Sequence, residues 1–252
     1  MNENKLSGKI ALITGASKGL GKAMAVALAR AGARLVLVSR NRDQLNETAN
    51  AVRACNAQAD VFVADVTDET QIGALEKSVA SQCGRIQILI NNAGINIRKP
   101  VTDFTLTEWR SVLDTNLTSA FLMCRAFVPQ MKGQGYGRIL NLTSIMSHVA
   151  LPGRSAYCAS KTGLLGFTRA LALELAQEKI TVNAISPGPF ATEMNTVIMQ
   201  NPEANQQFIS RIPAGRWGKV EEVGQLAVYL CSEDAGFING TDILIDGGWT
   251  AQ

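Results

Sequence analysis

Short apolar runs recur along the chain at Ile10–Ile13, Leu35–Val38, Val61–Val63, Ile88–Ile90, Ile139–Leu142, Thr181–Ile185 and Ile243–Ile245. Most lack the alternation of a half-solvated strand and read as strands buried on both faces. Amphipathic stretches of helical length separate most of them. Parallel neighbours need crossovers, and crossovers are usually helices, so this alternation predicts an α/β fold. The expected architecture is a doubly wound parallel sheet flanked by helices on both faces. No linker, repeat or low-complexity segment divides the chain, which predicts one domain over residues 1–252. Residues 187–218 break the rhythm: they carry four prolines and no clear strand. Such a stretch is expected to fold over something, as a substrate lid would.

Composition narrows the function classes. Hydrophobic residues make up 46% of the chain and charged residues 18%, which suits a packed core. The start, Met1 to Ser7, is polar, and the apolar run after it is too short for a signal peptide. No segment calls for a membrane, and the expected location is the cytoplasm. The five cysteines are scattered and odd in number, so no disulfide framework is expected. His148 is the only histidine, and no cluster has metal-ligand spacing. A net charge of +3 without a basic, aromatic-interleaved run argues against a nucleic-acid partner.

The first strand runs into Thr14-Gly15-Ala16-Ser17-Lys18-Gly19-Leu20-Gly21 and then an alanine-rich helix. Glycines let a backbone turn tightly against a pyrophosphate, and free N–H groups at the helix start receive its charge. This strand, turn and helix point to a Rossmann-type dinucleotide site built on Gly15, Ser17, Lys18, Gly19, Leu20 and Gly21; the alternative is a plain tight turn. The second strand ends Val38-Ser39-Arg40-Asn41-Arg42, with no acid before Asp43. An acid there would favour NAD, whereas Arg40 offers a planar donor fork suited to the 2′-phosphate of NADP(H), with Lys18 as a second charge. The alternative is two solvated loop cations.

Tyr157 and Lys161 stand four apart in a helix-like segment and so share one face. An ammonium beside a phenol stabilises its phenolate, which makes tyrosine a usable acid and base. Ser144 follows the strand Ile139–Leu142 at the carboxyl edge of the sheet, where open α/β folds place ligands. Asn116 sits inside a helical stretch, where asparagine is unfavourable unless its side chain has a task; a kink or cap is the alternative.

Together these residues carry a resemblance. Thr14-Gly15-x-x-x-Gly19-x-Gly21, Asp65-Val66, Asn91-Asn92-Ala93-Gly94, Asn116, Ser144, Tyr157-x-x-x-Lys161 and Pro187-Gly188 occur in the order of the short-chain dehydrogenase/reductase family, which the sequence resembles over nearly its whole length. The resemblance implies NADP(H)-dependent interconversion of a ketone and a secondary alcohol. Tyr157 would exchange the proton, Lys161 would lower its pKa and bind the nicotinamide ribose, Ser144 would orient the substrate oxygen, and Asn116 would support a water-mediated proton path. Asp65 and Val66 would hold the adenine, Asn92, Ala93 and Gly94 would line the cleft, and Pro187, Gly188 and Thr192 would flank the nicotinamide. A homotetramer is implied as well. A protein that kept the fold and lost the chemistry is the rival from another class.

For the substrate, the segment Asn92 to Pro100 resembles gluconate 5-dehydrogenases, and Arg98 is a candidate partner for a substrate carboxylate. Carrier-protein reductases typically present basic residues at positions that match Gly135 and Leu173, neither of which is basic. A 3-oxoacyl-acyl-carrier-protein reductase or a broad carbonyl reductase is the alternative. His148, four residues after Ser144, is a second candidate substrate contact, or a solvated loop residue.

Overall fold

The computed structural model describes residues 4–252; residues 1–3, which open the polar start and the predicted domain, lie outside them. Seven strands form one parallel sheet: β1 (Ile10–Thr14), β2 (Arg34–Ser39), β3 (Ala59–Val63), β4 (Ile88–Asn91), β5 (Gly137–Leu142), β6 (Ile180–Pro187) and β7 (Asp242–Ile245). Each contains, within a residue or two at its ends, an apolar run seen in the sequence.

These runs are continuous because both faces of the sheet are covered. Ala11, Ile13, Leu35, Leu37, Ile88 and Ile90 enter one core, with side chains from α1 (Gly19–Arg30), α2 (Arg42–Arg53) and α9 (Val220–Cys231). Their neighbours Leu12, Val36, Val38 and Leu89 point the other way, to α3 (Glu69–Gln82), α5 (Ser119–Met131) and α6 (Ser155–Leu175). Burying a leucine-sized side chain contributes roughly 1.5–3 kcal/mol. Successive strand residues therefore stabilise two layers at once.

The strand order is β3-β2-β1-β4-β5-β6-β7. The chain winds outward from β1 to β3 and then returns to place β4 against the other side of β1. The crossovers diverge at that reversal and leave a crevice at the carboxyl ends of β1 and β4, where doubly wound sheets bind ligands.

Two irregular stretches shape the crevice. Between α4 (Leu106–Leu113) and α5 the backbone widens into a π-helical turn, Asp114–Thr118, that centres on Asn116. Residues 187–218 contain the short helices α7 (Thr196–Met199) and α8 (Pro202–Ile209), and one isolated bridge pairs Phe190 with Gly218. Phe208 of α8 stacks on Trp217 with ring centres 4.8 Å apart and meets Trp249 at 5.3 Å. This aromatic cluster anchors the segment against the C-terminal turn.

Candidate active site

The glycine turn is built as the sequence predicts, and it is strapped to the loop after β4. Gly15 and Gly19 take φ of 62° and 55°, where a side chain would be strained. Asn92 Nδ2 donates to the carbonyls of Thr14 and Gly15 at 2.9 and 3.0 Å, while Thr14 Oγ1 accepts from the N–H groups of Asn92 and Ala93. A methyl on Gly21 would lie 2.3 Å from the Gly15 carbonyl oxygen, so only glycine lets α1 begin this close to the turn. The first turn of α1 has no side-chain cap and no acidic residue. Its positive end is left for an anion from outside, which fits the pyrophosphate of a dinucleotide.

A cleft of about 610 Å³ runs from this turn along the carboxyl edge of the sheet, and Arg40, Asp65, Val66, Gly94, Ser144, Tyr157, Lys161, Pro187, Gly188 and Thr192 all line it. At one end Arg40 is largely exposed and its Nη1 lies 3.6 Å from Asp65 Oδ2. Burial pushes the Asp65 carboxyl up, but hydrogen bonds from Thr67 and the nearby Arg40 outweigh it and hold the group below its usual value. Lys18 reaches across the mouth to Glu193 at 2.7 Å, and a methyl on Gly19 would meet Thr192 at 3.8 Å. The irregular segment is thus latched to the glycine turn.

At the other end Asn116, Ser144, Tyr157 and Lys161 come together from three elements: the π-helical turn, the loop after β5 and α6. The widened turn aims the buried Asn116 amide back across the site: its Oδ1 accepts from the Ile95 N–H at 2.8 Å, and its Nδ2 donates to the Ile95 carbonyl and to Ser160 Oγ. The asparagine and the kink therefore occur together. Lys161 Nζ is buried and donates to the Leu142 carbonyl at 2.6 Å. A methyl on Gly94 would touch both Asn116 Oδ1, at 3.3 Å, and Lys161 Nζ, at 3.5 Å, so that glycine keeps the floor open. Ser144 caps a short 3-10 turn by accepting from the Met146 N–H.

The electrostatics differ from the sequence expectation at one point. Burial dominates at Tyr157 and raises its phenol above the ordinary 10; the Ser144 hydroxyl, Arg154 and Arg98 act against that, in this order apart from a smaller raising effect of Cys158. Lys161 lies 5.7 Å from the tyrosine ring centre, and burial pushes its own ammonium down to about 8. Below about pH 8 the lysine remains a cation, and the other groups that favour the phenolate are Ser144 and two arginines.

The two candidate substrate residues part company. Arg98 lines the cleft and donates a long hydrogen bond, 3.4 Å, to Asn195. His148 does not line it. Its Nε2 hydrogen-bonds Asp242 Oδ2 at 2.6 Å, and the same buried carboxylate accepts from Ser186 and Thr143. A carboxylate sunk at the start of β7 needs donors, and the histidine is turned to supply one. Ser186 Oγ also lies 3.0 Å from the Ser144 carbonyl oxygen, so this network backs the serine from behind.

Sequence reasoning did not single out Arg154, which lines the cleft just before α6, or Asn96, whose buried Oδ1 has no hydrogen-bond donor among the described residues. Arg154 stands three residues before Tyr157, a spacing that a helix converts into proximity. No comparable signal marks Asn96.

Among the described residues no group of histidine, cysteine and acidic side chains is placed to hold a metal, and no helix is long and apolar enough to cross a membrane. The family profile described as enoyl-(acyl carrier protein) reductase matches residues 15–250. Gluconate 5-dehydrogenase of Gluconobacter oxydans (strain 621H) is 38% identical over 247 residues, 98% of this chain and 96% of that protein. A 3-oxoacyl-acyl-carrier-protein reductase of Thermotoga maritima is 36% identical over 244 residues, 97% of this chain and 98% of that one. The solved structure of a gluconate 5-dehydrogenase from Burkholderia cenocepacia J2315, in complex with NADP and tartrate, matches with a TM-score of 0.94 at 34% identity, over 100% of this chain and 98% of that chain. With the glycine turn, the Tyr157–Lys161 pair and the doubly wound sheet in place, the chain belongs to the short-chain dehydrogenase/reductase family of oxidoreductases.

Proposed function

We propose that the protein is an NADP(H)-dependent reductase of a small sugar acid or keto acid, acting as one catalytic domain whose segment 187–218 covers the substrate. The observation that carries this reading is that Ser144, Tyr157 and Lys161 line one end of a cleft whose other end is the phosphate-binding turn, with the buried Asn116 close to Lys161 across Gly94. A nicotinamide dinucleotide bound there supplies or accepts the hydride. Tyr157 gives its proton to the carbonyl oxygen as that oxygen becomes an alkoxide, and Ser144 holds the same oxygen by a hydrogen bond. Lys161 adds positive charge beneath the tyrosine and is the donor for the nicotinamide ribose. Asn116 keeps the Ile95 carbonyl and N–H in place behind Lys161, where a water-mediated proton path would run.

The choice of NADP(H) rests on Arg40, exposed at the adenine end with no acid at the end of β2. Relatives of this fold solved with NADP support it. The sugar-acid class rests on Arg98 in the cleft wall, and the exposed Leu173 and the glycine at 135 offer no charge to an acidic carrier protein.

The test is steady-state kinetics with both cofactors. 5-Ketogluconate or a related keto acid is expected to be reduced with higher kcat/KM than an acetoacetyl thioester, and NADPH to be used better than NADH. Arg40→Asp should reverse the cofactor order, because it replaces a phosphate donor with a repelling charge. The opposite substrate ranking would favour the carrier-protein reading, and equal or better use of NADH by the unaltered protein would defeat the argument from Arg40. Absence of turnover across a panel of activated ketones would leave the non-catalytic reading.

The enzyme is expected to work in the cytoplasm as a homotetramer. Tyr229, Phe237 and Leu244 are exposed apolar side chains near the C-terminal end, of the kind a second copy would cover. Light scattering at micromolar concentration should return four times the chain mass; a monomer mass would rule the assembly out.

A further inference from the structure

A backbone hydrogen bond from the Lys99 N–H to the Gly153 carbonyl, 3.1 Å long, ties the loop after β4 to the loop before α6. Arg98 precedes one partner of that bond and Arg154 follows the other, so two guanidinium groups enter the same end of the cleft, and both line it. The protein does little to neutralise them. Glu193 and Asp65, the acids that share the cleft, are paired with Lys18 and Arg40. Among the described residues Arg98 has only the long contact to Asn195, and Arg154 is held below the usual arginine value by burial and then by Arg98.

Arg154 is also the N-cap of α6, a helix of 21 residues with no side-chain cap and no acid in its first turn. Serine, threonine, aspartate or asparagine is preferred at that position, and a cation there opposes the helix dipole. Like charges tied together at the positive end of a helix form an arrangement that a bound anion relieves. A planar carboxylate matches the donor fork of a guanidinium. The polar residue Asn96 lines the same wall.

We infer that Arg154 is a specificity-determining residue that binds, together with Arg98, the carboxylate of a hydroxylated keto acid. This rests on the sugar-acid reading above and adds to it a second arginine. Arg154 also favours the Tyr157 phenolate, so the bound carboxylate and the proton donor share one cation.

The experiment compares Arg154→Gln and Arg154→Lys with the unaltered enzyme on 5-ketogluconate and on a neutral ketose, with NADPH saturating. Arg154→Gln should lower kcat/KM for the acid by about tenfold or more, mostly through KM, the effect of losing one charge-assisted hydrogen bond. The loss on the neutral ketose should be several times smaller, and Arg154→Lys should recover part of the acid preference. An equal loss on both substrates would assign Arg154 to tuning Tyr157 and overturn the inference while leaving the sugar-acid reading intact. An unaltered enzyme without any preference for the acid would overturn both. NADPH fluorescence reports that each variant still folds; should Arg154→Gln fail to bind NADPH, the acid-to-neutral ratio of Arg154→Lys decides, and a ratio equal to that of the unaltered enzyme overturns the inference.

Discussion

Tyr157→Phe should lower kcat for carbonyl reduction by about a thousandfold or more, within the range a positioned proton donor supplies. The change removes one oxygen and leaves the ring. Burial holds the phenol proton through the neutral range, so the tyrosine enters the reaction loaded. An alkoxide forming from a ketone is far more basic than a phenol, and the proton moves to it downhill. Without that proton the negative charge must develop beside Ser144 alone. NADPH binding, followed by its fluorescence, should change little, because the glycine turn and Arg40 lie at the far end of the cleft. A phenylalanine variant that kept a tenth of the activity would remove Tyr157 from the role of proton donor.

How much of this was legible in the sequence depends on distance along the chain. The seven strands could be read because a strand covered on both faces must be apolar at every position, as Leu12 and Ile13 show by entering opposite cores. The glycine turn and the Tyr157–Lys161 pair could be read because each is one local element with its chemistry inside a few residues. Asn116 announced itself as a misfit in a helix, and the misfit is the π-helical turn.

What stayed hidden depends on pairs far apart in sequence. The Lys99–Gly153 bond that brings Arg98 beside Arg154 crosses two loops whose path no periodicity encodes. The same holds for His148, a candidate substrate contact or a solvated loop residue from sequence, which is drawn to Asp242, 94 residues away. Residues 187–218 offered prolines and no strand; their two short helices and the Phe208–Trp217 stack depend on tertiary contacts with Trp249. The spacing of Tyr157 and Lys161 puts them near one another, but no spacing reveals the desolvation that acts on both groups.

Lys161→Met should cost at least about a hundredfold in kcat/KM, and the loss should separate from any loss of fold. The ammonium is buried against the Leu142 carbonyl, and burial lowers its pKa from 10.5 to about 8. An unfolded lysine keeps its proton up to its ordinary value, so between about 8 and 10.5 folding releases a proton and stability rises with pH; below about 8 the full cost of burying the charge is present. Methionine removes that cost, and the variant should melt no lower than the unaltered protein at pH 7, its lost hydrogen bond offset by the lost desolvation. Catalysis should respond in the opposite direction. Without the ammonium the phenolate left after proton transfer has only Ser144 and the arginines near it, and the nicotinamide ribose loses its donor, so KM for NADPH should rise. The pH profile gives an independent check. In the unaltered enzyme kcat/KM for reduction should fall as pH rises through about 8, where the lysine loses its charge, and Lys161→Met should lack that limb. A variant that turned over normally, or that kept the alkaline limb unchanged, would show that the charge beneath Tyr157 is not what the reaction uses.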